Sequence, residues 1–461
     1  MISIKNSIIS DLKNIIAGEV INTPESITEF SQDFGRIIKK KPLSIVRPQS
    51  SQDVAQVIEY AVHNDLTVCP RAGGYSLGGQ CLNQDGIILD MRSLNRIHEI
   101  NPDQLYFQAD AGASWRKVVE SSMLHSLIPP VLTNFIDVTV GGTHAAGGIG
   151  VSSFRYGTQA DNCLELEVVT GDGEIIWCNP KENSELFNHV LCGYGQFGII
   201  TQVRHKLQLH RPYTRTYYLT YDNLDALLKD KQTLTSENRI DYLLSVPSPA
   251  LELFSKAKSK PLIQWFYVLQ ITIEVDELNA NNNDEKILAD LNYYRRTYTE
   301  DTSYGDFVLP ALGMNLPENT VHPWVDLIIP ESQAKTYIET ALSRLPAVLD
   351  CGNTLIGSFC LPLHTTKIPM FCRPNEDTIG LGIYPIIPEF QLQPVLSELK
   401  YLTDLALECG GKRYLSGWVD FDLQQWRSQF GNYWSKVNEI KHKYDPKGIF
   451  NSGFFKYESV L

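Results

Sequence analysis

The sequence predicts an α+β protein: an N-terminal α/β region, then a second α+β region built on a broad sheet. Three observations carry that expectation. Up to about residue 210, helical and strand patterns alternate in short units. Beyond it the texture changes to long apolar and aromatic runs, such as LIQWFYVLQITIEV (262–275) and WVDLIIP (324–330). Two segments crowded with glycine and small residues, PRAGGYSLGGQ (70–80) and TVGGTHAAGGIGVSSFRYG (139–157), both fall in the first region.

Taken in order, Ile8, Ile9, Leu12, Ile15 and Ile16 recur at helical spacing and make the first segment an amphipathic helix. It has neither the continuous apolar core nor the small-residue cleavage site of a secretory signal. Ser50, with Asp53 three residues on, reads as a capping box ahead of the stripe Val54, Val57, Ile58, Ala61 and Val62. Leu66 and Val68 lead into the first glycine segment, and Ile87, Ile88 and Leu89 leave it as a strand. A second helix is expected from about Ser114 through Val118, Val119 and Leu124. LELEVVTGDGEIIWC (164–178) has two strand-like halves around Gly-Asp-Gly, the signature of a hairpin. A polar linker is expected at ELNANNNDE (277–285). Near the end, Trp426, Phe430, Trp434, Val437 and Ile440 fall on one face of a C-terminal helix that Asp445-Pro446 stops.

A chain of 461 residues has room for two or three domains, and 43% hydrophobic with 10% aromatic residues describes an ordinary folded protein. A net charge of −13 argues against nucleic acid or an anionic membrane as the main partner. No apolar window is long enough to cross a bilayer. Nine cysteines without a CxxC pair point to reduced, buried thiols, and so to the cytoplasm.

Two familiar patterns are decoys. GYGQFG (193–198) matches GxGxxG, but a helical pattern precedes it and a strand pattern follows, the reverse of a dinucleotide fingerprint. GYSLG (74–78) matches GxSxG, yet a nucleophile elbow needs a helix directly after the serine, and CLNQDGIILDM follows instead. The glycine segments taken together are more informative. Such a segment presents successive N–H groups to one anionic group. A pair from one α/β region clamps a diphosphate from both sides, with Ser76, Gln80, Thr139 and Thr143 as side-chain donors. Either segment alone fits a tight turn in a large core. The pair points to a phosphorylated cofactor.

Seven segments, from about Leu43 to Phe450, carry a resemblance to a known family: PRAGGYSLGGQ, LTNFIDVTVGGT, FRYGTQADNCLELEVVTGDGEI, GYGQFGIIT, HPWVDLIIP, KRYLSGW and KYDPKGIF. In this order they resemble the FAD-linked oxidases of the vanillyl-alcohol oxidase type, and among these the cytokinin dehydrogenases. The resemblance implies a bilobed PCMH-type FAD-binding domain (1–210), a separate α+β substrate domain (211–413) and a C-terminal return to the first (414–461). It implies cofactor contacts at Pro70, Ala72, Gly73, Gly74, Tyr75, Ser76, Gln80, Thr139, Ala145, Ile149, Ile200 and Tyr414. No metal ligands are implied.

Three departures qualify it. Members with covalent flavin carry a histidine where this chain has Tyr75, so a noncovalent flavin beside a packed or hydrogen-bonded phenol is expected. In cytokinin dehydrogenases the aspartate of a W-T-D-Y segment takes the proton of the substrate amine. This chain reads Leu132-Thr133-Asn134-Phe135. A carboxamide positions a substrate by hydrogen bonds but is no base near neutral pH. Asp137 and His144 are the nearby titratable groups, expected as a solvated or turn-capping carboxylate and a loop residue. In the tail, NSGF (451–454) stands where the family has Ser-Pro-Gly-Gln.

The expectation is therefore an FAD-dependent oxidoreductase that oxidises a C–H next to nitrogen or oxygen by hydride transfer to flavin N5, with Asn134 at the catalytic position. A small planar or apolar substrate is expected against Trp265, Phe266, Tyr267 and Trp324, with O2 or a quinone as electron acceptor. The alternatives are an alcohol, sugar or secondary-metabolite oxidase of the same family, a flavoprotein without redox turnover, and a serine hydrolase.

Overall fold

The computed structural model describes residues 2–251, 263–278, 284–309, 316–345, 354–450 and 453–457. β1 (Glu19–Ile21), β2 (Ser44–Arg47), β3 (Val68–Arg71) and β4 (Ile87–Asp90) form a sheet in the order β1-β2-β4-β3. β4 runs parallel to both β2 and β3, so the chain must cross over between parallel strands. The helix Ser51–His63 makes the first crossing, and the first glycine segment spans the second. Ser50 caps that helix by accepting from the Asp53 N–H at 3.2 Å. The Asp53 carboxylate does not complete the box. It accepts instead from the N–H groups of Ala17 and Gln49, at 3.0 and 2.8 Å, which ties the helix start to the exit of the helix Ile2–Ile15. Val54, Val57, Ile58 and Ala61 pack against Ile8, Ile9, Leu12 and Ile16 in one core.

The second sheet contains β5 (Ile97–Asn101) and β6 (Tyr106–Asp110); β7 (Leu127–Ile128) lies outside it and pairs with a later strand. β8 (Cys163–Val169), β9 (Ile175–Cys178) and β10 (Ile199–Lys206) complete it in the antiparallel order β5-β6-β10-β8-β9, and β11 (Gln208–Leu209) is the partner of β7. β8 and β9 are the expected hairpin. The helix Trp115–Met123, capped by Ser114, stops before Leu124, which is 84% exposed and outside the buried stripe. GYGQFG joins the helix Ser184–Val190 to β10, which confirms the helix-before-strand order that excludes a dinucleotide fingerprint. No helix follows GYSLG before β4, so the nucleophile elbow is excluded as well.

The third sheet is the largest. β12 (Tyr213–Tyr221), β13 (Tyr242–Leu251), β14 (Ile263–Val275) and β15 (Arg295–Ser303) make one half. After the short β16 (Thr320–Val321), β17 (Val325–Pro330), β18 (Thr354–Leu361) and β19 (Thr378–Pro385) follow; β20 (Ile387–Pro388) pairs with β16, and β21 (Lys412–Tyr414) closes the edge. The order is β15-β12-β14-β13-β18-β19-β17-β21. The helices Leu224–Ser236, Glu331–Arg344 and Leu392–Glu408 bury Leu234, Tyr337 and Leu402 in one core with Leu219, Leu327 and Ile383 of the sheet. Most of the expected polar linker, 279–283, lies outside the described residues.

The C-terminal helix is two helices, Leu423–Phe430 and Trp434–Tyr444. Gly431 takes φ +56°, a left-handed conformation that glycine adopts without Cβ strain, and the axis breaks there. All five apolar residues of the expected face are still buried in the core of the second sheet. The chain then returns to the first sheet, where the Ile449 carbonyl accepts from the Val68 N–H at 2.8 Å. Asn451 and Ser452 of the divergent tail lie outside the described residues.

Candidate active site

A cavity of about 720 Å³ lies where the first two sheets meet the β19-β17-β21 edge of the third. The expected cofactor contacts and Asn134 all line it. Pro70, Ala72, Gly73, Gly74, Tyr75, Ser76 and Gln80 form one wall, and Thr139, Ala145, Ile149 and Ile200 a second. Tyr414 comes from the third sheet and Asn134 from the segment between the walls. Residues more than three hundred positions apart converge here because the C-terminal chain returns to the N-terminal sheets.

The first wall is shaped by Arg71, which the sequence reading passed over although it sits inside the motif. Its guanidinium donates to the Gln32 carbonyl at 3.0 Å and lies over the Phe30 ring at 5.1 Å. Gly74 passes above it at φ +73°, and a Cβ there would come within 2.8 Å of the guanidinium. Among the described residues, no protein group accepts from the N–H groups of Gly73, Gly74, Tyr75 or Ser76. Four consecutive free donors beside a cavity are what an anionic diphosphate needs.

The second wall is not a loop throughout. Residues Val140–Ala146 form a short helix whose N-cap Thr139 accepts from the Gly142 N–H at 3.3 Å. GYGQFG and the residue before it clamp its far end: the N–H groups of Cys192 and Tyr194 donate to the carbonyls of His144 and Ala145, at 2.9 and 2.8 Å. Two expected side-chain donors are engaged inside the protein. Thr143 accepts from Trp115 Nε1 at 2.8 Å and donates to the Val140 carbonyl. Gln80 accepts from the Gly78 N–H and donates to the Leu415 carbonyl, so it fixes the wall to the C-terminal return. The residues present fit FAD: free N–H donors for the diphosphate, a predominantly apolar lining for the ring system, and a volume in the range of cofactor pockets.

Tyr75 packs its ring between Phe34 and Phe135, with centroids 5.3 and 4.8 Å away, and burial raises its pKa. Asn134 is exposed at the cavity. Neither nearby titratable group reaches it. Asp137 is held by Arg116 through two hydrogen bonds of 2.6 and 3.0 Å, which keep its carboxyl below the usual range. His144 is a fully buried helix residue, not a loop residue. Its Nδ1 contacts the Val140 carbonyl and its Nε2 the Nδ1 of His205 at 3.0 Å, and burial pushes its pKa down to about 4.

The carboxylate that does line the cavity is Asp326, which the sequence reading did not single out. Its Oδ1 accepts from the Tyr384 hydroxyl at 2.6 Å and its Oδ2 from the Ser416 hydroxyl at 2.8 Å. The signal was present in Trp-Val-Asp, since strand alternation puts Asp326 on the same face as Trp324. Of the four aromatic residues expected on the wall, Trp324 alone lines the cavity. Trp265, Phe266 and Tyr267 belong to β14, which β13 and β18 separate from β19.

A family profile for an FAD binding domain matches residues 42–179. An uncharacterized oxidoreductase from the fasciation locus of Rhodococcoides fascians is 30% identical over 93% of this chain and 96% of its own length. Cytokinin dehydrogenase 8 of Oryza sativa is 33% identical over 94% of this chain and 90% of its own. The fold is shared with 6-hydroxy-D-nicotine oxidase from Arthrobacter nicotinovorans, at a TM-score of 0.72 and 20% identity, covering 95% of this chain and 98% of that one. No helix among the described residues is long and apolar enough to cross a membrane.

Proposed function

The chain belongs to the FAD-linked oxidoreductases of the vanillyl-alcohol oxidase type, together with the cytokinin dehydrogenases, and from that premise we propose that it oxidises a C–H next to nitrogen or oxygen on a small planar or apolar substrate. The observation that carries this reading is the cavity between the sheets, with free N–H donors on one wall and Trp324, Tyr384 and Tyr414 on the side opposite. When bound, the flavin supplies the hydride acceptor, and protein groups orient the substrate and tune the ring.

In this reading Gly73, Gly74, Tyr75 and Ser76 hold the diphosphate, while Ala145, Ile149 and Ile200 give the ring system an apolar bed. Trp324 and Tyr384, with ring centroids 5.3 Å apart, press a flat substrate toward it and exclude water. Asn134 hydrogen-bonds the substrate without taking a proton. Segments 1–210 and 414–461 serve the cofactor, and 211–413 supplies the substrate wall. The flavin is held noncovalently because Tyr75 occupies the position of the attaching histidine. Electrons leave to O2 or a quinone.

Incubation of the purified protein with a panel of secondary amines and alcohols, followed by mass analysis, tests the reading. A dehydrogenated product from at least one planar member is expected, together with flavin released into the supernatant on acid precipitation. An unaltered panel would overturn the activity, and flavin retained in the pellet on a peptide containing Tyr75 would overturn the noncovalent link.

A further inference from the structure

We propose that Asp326, acting with the Tyr384 hydroxyl, is the proton acceptor of this site, taking the proton of the substrate N–H or O–H as the adjacent C–H gives up hydride. The inference rests on the reading above, that oxidation occurs beside nitrogen or oxygen.

The sheet builds this pair deliberately. Trp324, Asp326 and Ile328 line the cavity, Leu327 reaches both the cavity and the core, and Val325 and Ile329 are buried in the core behind. Asp326 stands opposite Gly382 of β19 on one side and Tyr414 of β21 on the other. A Cβ at Gly382 would strike the Tyr384 hydroxyl, so only glycine lets the phenol lie back along its own strand and reach Asp326. Each carboxylate oxygen accepts one hydroxyl and keeps lone-pair capacity for a proton arriving from the cavity.

The charged and titratable groups facing Asp326 are Tyr384 from β19 and Arg413 and Tyr414 from β21. Arg413 does not pair with the carboxylate. Its guanidinium donates to the Asp326 carbonyl at 3.1 Å, the Trp418 carbonyl at 2.6 Å and Thr403 Oγ1 at 3.1 Å. Burial raises the carboxyl pKa, and the two hydroxyls and the Arg413 charge pull it back. The contrast with Asp137, locked to Arg116, is plain. A carboxylate without a direct ion partner in a desolvated wall is the stronger base of the two.

The step balances as follows. The substrate X–H bond breaks, and its proton ends on Asp326, directly or through Tyr384, whose own proton passes to Oδ1 as the phenol oxygen takes the new one. The electron pair left on X forms the second bond to carbon. The C–H bond breaks with its electron pair, and the oxidised FAD of the parent activity accepts it as hydride. The substrate loses two electrons, FAD gains two, and one proton resides on the protein.

Two variants of the holoenzyme, Asp326→Asn and Tyr384→Phe, test this by two measurements. The first is the rate of anaerobic flavin reduction against pH with a substrate the wild type accepts. The second is the absorption spectrum of the oxidised flavin against pH with no substrate. In wild type, the rate is expected to fall on the acid side with one ionisation, and the substrate-free spectrum to titrate with it. Asp326→Asn should retain FAD, slow reduction by about 10²- to 10⁴-fold and abolish both titrations. Tyr384→Phe should retain FAD and displace both titrations, because it removes one hydroxyl from the carboxylate. The proposal is overturned if Asp326→Asn reduces at the wild-type rate with its acid limb intact, or, should that variant not fold, if Tyr384→Phe leaves both titrations where they were. A wild type that no panel member reduces overturns the function itself, and is thereby distinguished from failure of the base alone.

Discussion

Asn134 and His144 show how one residue decides what a site can do. Asn134 offers a donor and an acceptor to the cavity but no basicity. Asn134→Ala is expected to raise KM by about tenfold, the worth of one or two hydrogen bonds, with kcat and its pH profile little changed. Steady-state kinetics across pH check this, and a collapse of kcat with loss of the acid limb would make Asn134 part of the proton path. His144 governs stability instead. Its folded pKa is depressed to about 4, so the unfolded chain takes the proton first. The contribution is complete above the ordinary histidine value and is lost as pH falls from about 6.5 toward 4, amounting to about 3 kcal/mol. Asp33, raised to about 6 by burial, acts with the opposite sign. The difference between wild type and His144→Gln in urea unfolding at pH 7 and pH 5 isolates the imidazole, and wild type should lose more stability on acidification. The departure at Asn134 was legible from the sequence, because a motif marks its position. The burial of His144 was not, since its partner His205 lies 61 residues away on β10.

Elements were read well where local patterns decide them and less well where a distant partner intervenes. The β8–β9 hairpin and the helix Ser51–His63 follow from spacing alone. The capping box failed because Asp53 is taken by Ala17 and Gln49, and no local rule foresees that competition. The sequence pattern runs as one helix through Gly431 because the apolar stripe continues on both sides of the break. Its last turn has a purpose that the motif KYDPKGIF concealed. Lys441, buried, donates to Asp445 at 2.6 Å and to the Gln196 carbonyl of GYGQFG at 2.8 Å. Asp445 in turn accepts from the N–H groups of Ile449 and Phe450, at 2.9 and 3.0 Å, turning the chain back to the first sheet. Asp445→Ala strands a buried cation and two N–H donors. It should cost about 3–5 kcal/mol, measured as the shift in the urea transition. A loss below about 1 kcal/mol would mean the pair behaves as a surface ion pair.

At the scale of the whole molecule, the site exists because three sheets and the C-terminal return meet around one space. Composition and periodicity give the sheets. They do not give the meeting point, and the ordered set of motifs supplied it through resemblance. The cavity-facing carboxylate escaped notice for the same reason: Asp326 is one acid among many until the order β19-β17-β21 puts it beside Tyr384 and against the cavity. The central claim is that this space holds FAD and uses it to oxidise a substrate seated against Trp324 and Tyr384. Its most direct test is the visible spectrum of the purified protein, recorded while planar secondary amines and alcohols are added in turn without oxygen. The account predicts that at least one of them bleaches the flavin band and that admitting O2 or a quinone restores it. A band that a chemical reductant bleaches but every such substrate leaves unchanged would contradict it.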